Sequence, residues 1–336
     1  MAVGFDEQVR AALTAADAET ATPQERAEML MEIAIGLQIK PKLADELLAA
    51  VELYDRALGI CPSTHPLLAA RIQARKATAL QAIPEIGTAS LERARDALQI
   101  AIPTLKSLGE TEELAEAEMN LGLVLQSLAG ANKARITDAI AAYQRALRTF
   151  DRHQFPAEFA ILQNNLATAF LSIPFTDERA KMREALAVQA FEEGLRVVNL
   201  IDHPAEYAML QNNLGNALQY ASSSHVVENN LRALDAYDEA LRVRTREAMP
   251  LEYANTIANK ANCLWNLPDD LANSAAGNRS NMRQARYLYA EARELFNAAG
   301  EHEKARIVAE AIDQMDRETL STASDGASSL YANSHH

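Results

Sequence analysis

Eight asparagines stand at related places in this chain. Asn120, Asn165, Asn213 and Asn259 follow one another at intervals of 45, 48 and 46 residues. Asn164 and Asn212 immediately precede two of them, and Asn216 and Asn262 lie three residues beyond two of them. In the two earlier places of the series stand Glu32 and Arg75. A carboxamide carries both donors and an acceptor. A row of them can bond successive peptide groups of an extended chain without reading its side chains, or it can bond neighbouring elements of its own fold.

Little else in the sequence is equipped for chemistry. Cys61 and Cys263 are far apart and match no disulfide framework or zinc-ligand spacing. No phosphate loop, dinucleotide fingerprint, zinc-protease motif or nucleophile elbow is present. His65, His153 and His203 fall in turns close to prolines. The carboxylates cluster where helices start, where they complement the positive helix end. No nucleophile has a base beside it. The expectation is therefore a protein that is not an enzyme and uses no cofactor and no metal.

The 336 residues carry 32 basic and 46 acidic side chains, a net charge of −14. That balance argues against a nucleic-acid partner, which needs a basic surface. No run of about 18 apolar residues exists to cross a membrane, and the first residues do not read as a secretory signal. A cytoplasmic location is expected, where two unpaired cysteines stay reduced. Aromatic residues are only 5% of the chain, so its core must be filled mainly by alanine and leucine, which suits closely packed helices.

The elements that would position the asparagines are visible as a repeat. The segment PAEFAILQNNLATAF from Pro156 returns as PAEYAMLQNNLGNAL from Pro204 and as PLEYANTIANKANCL from Pro250. Anchoring each copy on one alanine gives Ala27, Ala70, Ala115, Ala160, Ala208 and Ala254, with spacings of 43, 45, 45, 48 and 46. Seven residues on, every copy has a small residue: Ala34, Ala77, Gly122, Ala167, Gly215 or Ala261. Three further on comes a large apolar one, such as Leu80 or Phe170. These offsets place them on one helix face. A second helix follows, with alanine, then a ring or leucine four residues on (Tyr54, Leu98, Tyr143, Phe191, Tyr237 or Tyr289), then a small residue three further. Small residues let antiparallel helices approach closely, and the large one fills the gap between them.

The run Asn213-Leu214-Gly215 with Leu218, followed by Ala233, Tyr237 and Ala240-Leu241, resembles the tetratricopeptide repeat family. The resemblance extends over about residues 23–297 in six units. It implies an all-α, right-handed α-solenoid of stacked helix-turn-helix repeats over 23–65, 66–110, 111–155, 156–203, 204–249 and 250–300. An N-terminal helix is expected in 1–22, a capping helix over 301–321 and a disordered tail over 322–336. The chain departs from the family in two respects. Its repeats are 43 to 48 residues long against a usual 34, an excess that longer helices or longer turns would explain. The family's first-helix aromatic is replaced by Leu30, Gln73, Glu118, Gln163, Gln211 and Ile257.

In that family the first helices line a concave groove that holds extended ligands. Carried onto this chain, the resemblance puts Asn120, Asn164, Asn165, Asn212, Asn213, Asn216, Asn259 and Asn262 in the groove, with Arg71, Arg75, Tyr220 and Trp265. Arg71 and Arg75 are the only such cation pair, too few for the family's carboxylate clamp, and Glu28, Glu32 or Glu116 could neutralise them. Trp265 stands either as an anchor for a partner or as a plug against the loop from Pro268, itself a lid, a partner contact or neither. The expected function is a non-catalytic scaffold or adaptor for a protein or peptide segment. A chaperone-like assembly or maturation factor is the alternative, as is a peptide-sensing regulator. The regulator class usually carries a DNA-binding module ahead of its repeats; with some twenty residues before the first repeat, no such module is expected here. Partner identity and oligomeric state are not encoded in any of these features.

Overall fold

The structure, a computed structural model, describes residues 21–39, 44–85, 87–174, 178–222, 225–273 and 277–332, with side chains to 318. Most of the expected N-terminal helix lies outside the described residues. Among those residues all regular structure is helical. The helices are α1 (Pro23–Ile39), α2 (Ala44–Ile60), α3 (Pro66–Ala82), α4 (Ala89–Leu108), α5 (Thr111–Gly130), α6 (Ile136–Ala146), α7 (Pro156–Leu171), α8 (Glu178–Leu195), α9 (Pro204–Gln219), α10 (Val226–Leu241), α11 (Pro250–Trp265), α12 (Arg279–Ala298) and α13 (His302–Ala332). The chain forms two compact units, residues 1–173 with α1–α7 and residues 174–336 with α8–α13.

Within each unit the chain is a stack of antiparallel hairpins. The pairs α1/α2, α3/α4 and α5/α6 pack together in the first, and α9/α10 and α11/α12 in the second. Each second helix then packs on the next first helix. The first helices also meet across repeats, α1 with α3, α3 with α5 and α5 with α7, and in the second unit α9 with α11. They therefore form the inner row of each stack. Helix length accounts for much of the repeat excess: the two helices of the first repeat, 17 residues each, already equal a usual 34-residue unit.

Local chemistry sets these elements. Prolines begin α1, α3, α7, α9 and α11, where a missing N–H costs nothing. In α5 the N-cap is Glu110 rather than Thr111, and the Glu113 side chain reaches back to the Glu110 N–H at 3.1 Å. The register anchors Ala27, Ala70, Ala115, Ala160, Ala208 and Ala254 are all buried, as are the six second-helix positions from Tyr54 to Tyr289. The large first-helix position is less uniform: Leu37 and Phe170 are only half-buried.

Gly122 and Gly215 show why a small residue is needed. A Cβ on Gly215 would lie 2.6 Å from Cε1 of Tyr237, and one on Gly122 would overlap the Tyr143 ring, with Cδ1 at 2.5 Å. Each ring leans directly on the backbone of the opposing helix.

The buried rings also carry hydroxyls that need partners. Tyr54 donates to Gln38 Oε1 at 2.9 Å, Tyr143 to Gln126 Oε1 at 2.8 Å, and Tyr237 lies 2.8 Å from both Gln219 Oε1 and Asn216 Oδ1. Each glutamine sits four residues after the small residue of its first helix. The Tyr237 hydroxyl has one proton and serves only one of its two carbonyl oxygens. With the Gln219 amide turned over, its buried Nε2, otherwise unpaired, donates to that hydroxyl instead. Where the fourth repeat has Phe191 in place of tyrosine, Leu171 stands in place of the glutamine.

Charge pairs join successive repeats in the same way. Lys76 of α3 pairs with Asp55 of α2, and Lys260 of α11 with Asp238 of α10. Each aspartate directly follows the buried tyrosine of its helix. Inside the third hairpin, buried Glu118 takes two hydrogen bonds from Arg145, at 2.8 and 2.7 Å. Such bidentate pairing offsets the cost of burying the carboxylate.

The loop after α11 is tied down on both sides of residues 274–276, which lie outside the described residues. Asp269 accepts the N–H groups of Ser280 and Asn281, both at 2.8 Å, and so caps α12 from a distance. These bonds hold its carboxyl below the usual range. Asn281 in turn donates to the Leu267 and Pro268 carbonyls, and Asn278 to that of Trp265.

Helix α13 continues the first-helix register, with buried Ala305, Val308, Ile312 and Met315 at the spacing of Ala254, Ile257, Ala261 and Leu264. At the place where the other first helices carry a small residue it has isoleucine, Ile312. Where a capping helix to 321 and an irregular tail are expected, α13 runs on to Ala332. No proline interrupts the stretch beyond 321, although Gly326 and the serines there are poor helix formers.

Candidate functional site

The predicted residues sort into an inner face in each unit. In the first unit the centre is a small cleft of about 30 Å3 between α3 and α5, lined by Arg71, Arg75, Thr78, Glu113, Glu116 and Asn120. Arg71 binds Glu113 through two nitrogens, at 2.6 and 3.2 Å, and Arg75 reaches Glu116 at 3.1 Å. The sequence suggests Glu28, Glu32 or Glu116 as partners; Glu116 takes Arg75, while Glu113, one turn below, takes Arg71. Burial works to raise the Glu113 pKa, but the Arg71 hydrogen bonds and the Glu110 amide outweigh it and hold the carboxyl low. Two neutralised arginines leave no free carboxylate clamp here. Asn120 is buried at the floor.

On α7, Asn164 and Asn165 are both buried and bonded to each other, Nδ2 to Oδ1 at 3.3 Å. The Nδ2 of Asn165 is enclosed without a partner. Thr168 links α7 to α5 by accepting from Gln126 Nε2 at 3.1 Å. The first unit thus uses its carboxamides mostly below the surface.

The second unit is different. Asn212 is buried on α9, donates to Asn213 Oδ1 at 3.0 Å, and accepts from Thr256 at 3.1 Å and Asn259 at 3.4 Å, both on α11. Thr256, fully buried, also accepts from Arg244 at 3.0 Å. Burial lowers the Arg244 pKa, against the pull of Glu252. The Thr256 hydroxyl also lies 2.9 Å from the Glu252 carbonyl of its own helix, so its one proton serves either that oxygen or Asn212, while the Asn259 amide bonds Asn212 across the two first helices. Asn213, Asn216, Asn259 and Asn262 are half-buried, with edges toward the surface. Asn216 faces the Tyr237 hydroxyl, and Asn262 donates to Tyr220 at 2.7 Å. Tyr220 is 68% exposed. Trp265 is half-buried and donates from its indole to Glu318 of α13 at 3.0 Å. It is tied to the last helix as well as to the loop.

The asparagine series thus divides by depth. Asn164, Asn165 and Asn212 are interior bonding groups; Asn213, Asn259 and Asn262 with Tyr220 offer carboxamides and a phenol on one face. Thr256, Arg244 and the tyrosine-paired glutamines are absent from the sequence reading. The glutamines gave only a partial signal: they accompany tyrosine in the first, third and fifth repeats and give way to leucine beside Phe191, but Gln81 stands with Leu98 and Trp265 with Tyr289. Arg244 gives no periodic signal at all.

Nucleophilic chemistry finds no support in the thiols. Burial pushes Cys263 up to about 12, and its Sγ lies 3.1 Å from the Asn230 carbonyl, to which the thiol donates. Burial, and then the charge of Glu28, raise Cys61. Both are held as thiols, not thiolates. Among the described residues no group of three His, Cys, Asp or Glu side chains could hold a metal, and no helix is long and apolar enough to cross a membrane.

No family model matches the chain, and no curated protein matches it. Among solved structures it is similar to a Rap protein complexed with competence and sporulation factor, at 14% identity and a TM-score of 0.43, over 89% of this chain and 82% of that one. It is also similar to the TPR2AB domain of yeast Sti1 in a complex with pHSP90, at 14% identity and a TM-score of 0.29, over 87% of this chain and 99% of that one.

Proposed function

We propose that this chain is a non-catalytic scaffold that holds an extended protein or peptide segment along the first helices of its second unit. The supporting observation is the α9/α11 face. There the buried Asn212 is bonded from α11, and Asn213, Asn259, Asn262 and exposed Tyr220 stand together above it. Rigid positioning matters because each peptide hydrogen bond then forms without ordering the receptor side chain first. Carboxamides bond backbone groups of either sense, so recognition would rest on chain direction and spacing more than on ligand side chains.

The test is the variant Asn213→Ala, Asn259→Ala, Asn262→Ala, applied to a partner that the wild-type chain retains. Losing three net hydrogen bonds of about 1 kcal/mol each should weaken binding by roughly a hundredfold. The helical circular dichroism should stay unchanged, because α10 packs against both α9 and α11. Unaltered affinity in a folded triple variant contradicts the proposal.

A further inference from the structure

A second surface lies away from this face, between α12 and α13. Arg279, Arg283 and Arg286 project from α12 at spacings of four and three residues, and all three line one cavity of about 320 Å3 with Met282, Met315 and Asp316. Only Arg286 is neutralised by an ion pair, bonding Asp316 through two nitrogens at 2.7 and 3.1 Å. Arg279 and Arg283 are exposed and form no ion pair with any described residue, although the charge of Arg283 reaches Asp269. In a chain of net charge −14, these two guanidiniums stand beside an apolar floor on the same cavity. The floor is two methionines, whose unbranched side chains adapt to varied apolar guests.

We infer that this cavity is a docking site for an acidic segment of a partner protein, one aliphatic residue seated on Met282 and Met315 and flanking carboxylates bonded by Arg279 and Arg283. Arginine forks match carboxylates bidentately, which gives the site its sign and its geometry.

The experiment is fluorescence anisotropy on the full chain with three labelled peptides: Asp-Glu-Leu-Glu-Asp, the same with serine for leucine, and Lys-Lys-Leu-Lys-Lys. The first should bind saturably and weaken as salt rises. The serine and lysine peptides should each bind at least about tenfold more weakly. Arg279→Glu with Arg283→Glu, both on the surface, should weaken the acidic leucine peptide by at least about tenfold and leave the melting curve in place. The Asn213→Ala, Asn259→Ala variant should bind that peptide as the wild type does, which separates this site from the first-helix face. Equal binding of acidic and basic peptides, no effect of the arginine changes, or no saturable binding at all each overturns the inference. So does a dimer in sedimentation that the arginine changes dissolve, since the face would then belong to a second copy of this chain.

Discussion

Replacing Gly122 by alanine should destabilise the protein, although alanine is the better helix former. The exchange gains about 1 kcal/mol in helix propensity. Against that, the new methyl meets the Tyr143 ring at less than van der Waals distance, and overpacking of this kind costs about 1–3 kcal/mol. The ring is fully buried and cannot swing aside. Gly215→Leu, with three more carbons against Tyr237, should cost more than about 3 kcal/mol and loosen the second unit. The diagnostic is a cycle with Tyr143→Leu, the pairing already present as Ala77 and Leu98 in the second repeat. In that background Gly122→Ala should become neutral or stabilising, because the propensity gain remains and the clash is gone. Thermal melts of the four proteins read this out. A Gly122→Ala protein that melts higher than wild type would show that the ring does not rest on the glycine.

Tyr143 itself should give the other large effect. Tyr143→Ala empties a fully buried ring site and should cost about 3–5 kcal/mol. Tyr143→Phe keeps the ring but strands Gln126 Oε1, which loses its 2.8 Å hydrogen bond; about 1–2 kcal/mol is expected for a buried acceptor left unpaired. Adding Gln126→Leu to Tyr143→Phe should restore part of that loss, reproducing the Leu171 and Phe191 combination of the fourth repeat. It also removes the Gln126 bond to Thr168, so recovery should be incomplete. A double variant less stable than Tyr143→Phe alone would mean that Gln126 works through Thr168 and not through the tyrosine.

These effects follow from features whose legibility in the sequence differs. Register was readable because it depends on side-chain size alone: the alanine anchors, the small residues and the rings recur at fixed offsets and are buried where those offsets place them. Whether turns or helices lengthened the repeat was not readable, since a helix end is set by caps such as Glu110 and Asp269, and Asp269 acts across eleven residues of chain. The asparagine series was found, but its division was not. Asn212 and Asn213 are neighbours of the same type, and only their angular places on α9 turn one toward α11 and the other toward the surface. The Arg71 partner shifted from the expected residues to Glu113 for a similar reason, because helix rotation decides which carboxylate faces the cleft. Arg244 and Thr256 became visible only through three-dimensional contact.

The first-helix face is tested most directly by photo-crosslinking from single positions in the full chain, with the natural partner bound. A photoreactive amino acid at Asn213, Asn259 or Tyr220 should capture the partner, and each site should label a different, successive stretch of one partner segment. The same group at Leu231, exposed on the second helix α10, should capture little. Strong capture from Leu231 with none from Asn213, Asn259 and Tyr220 would contradict the account.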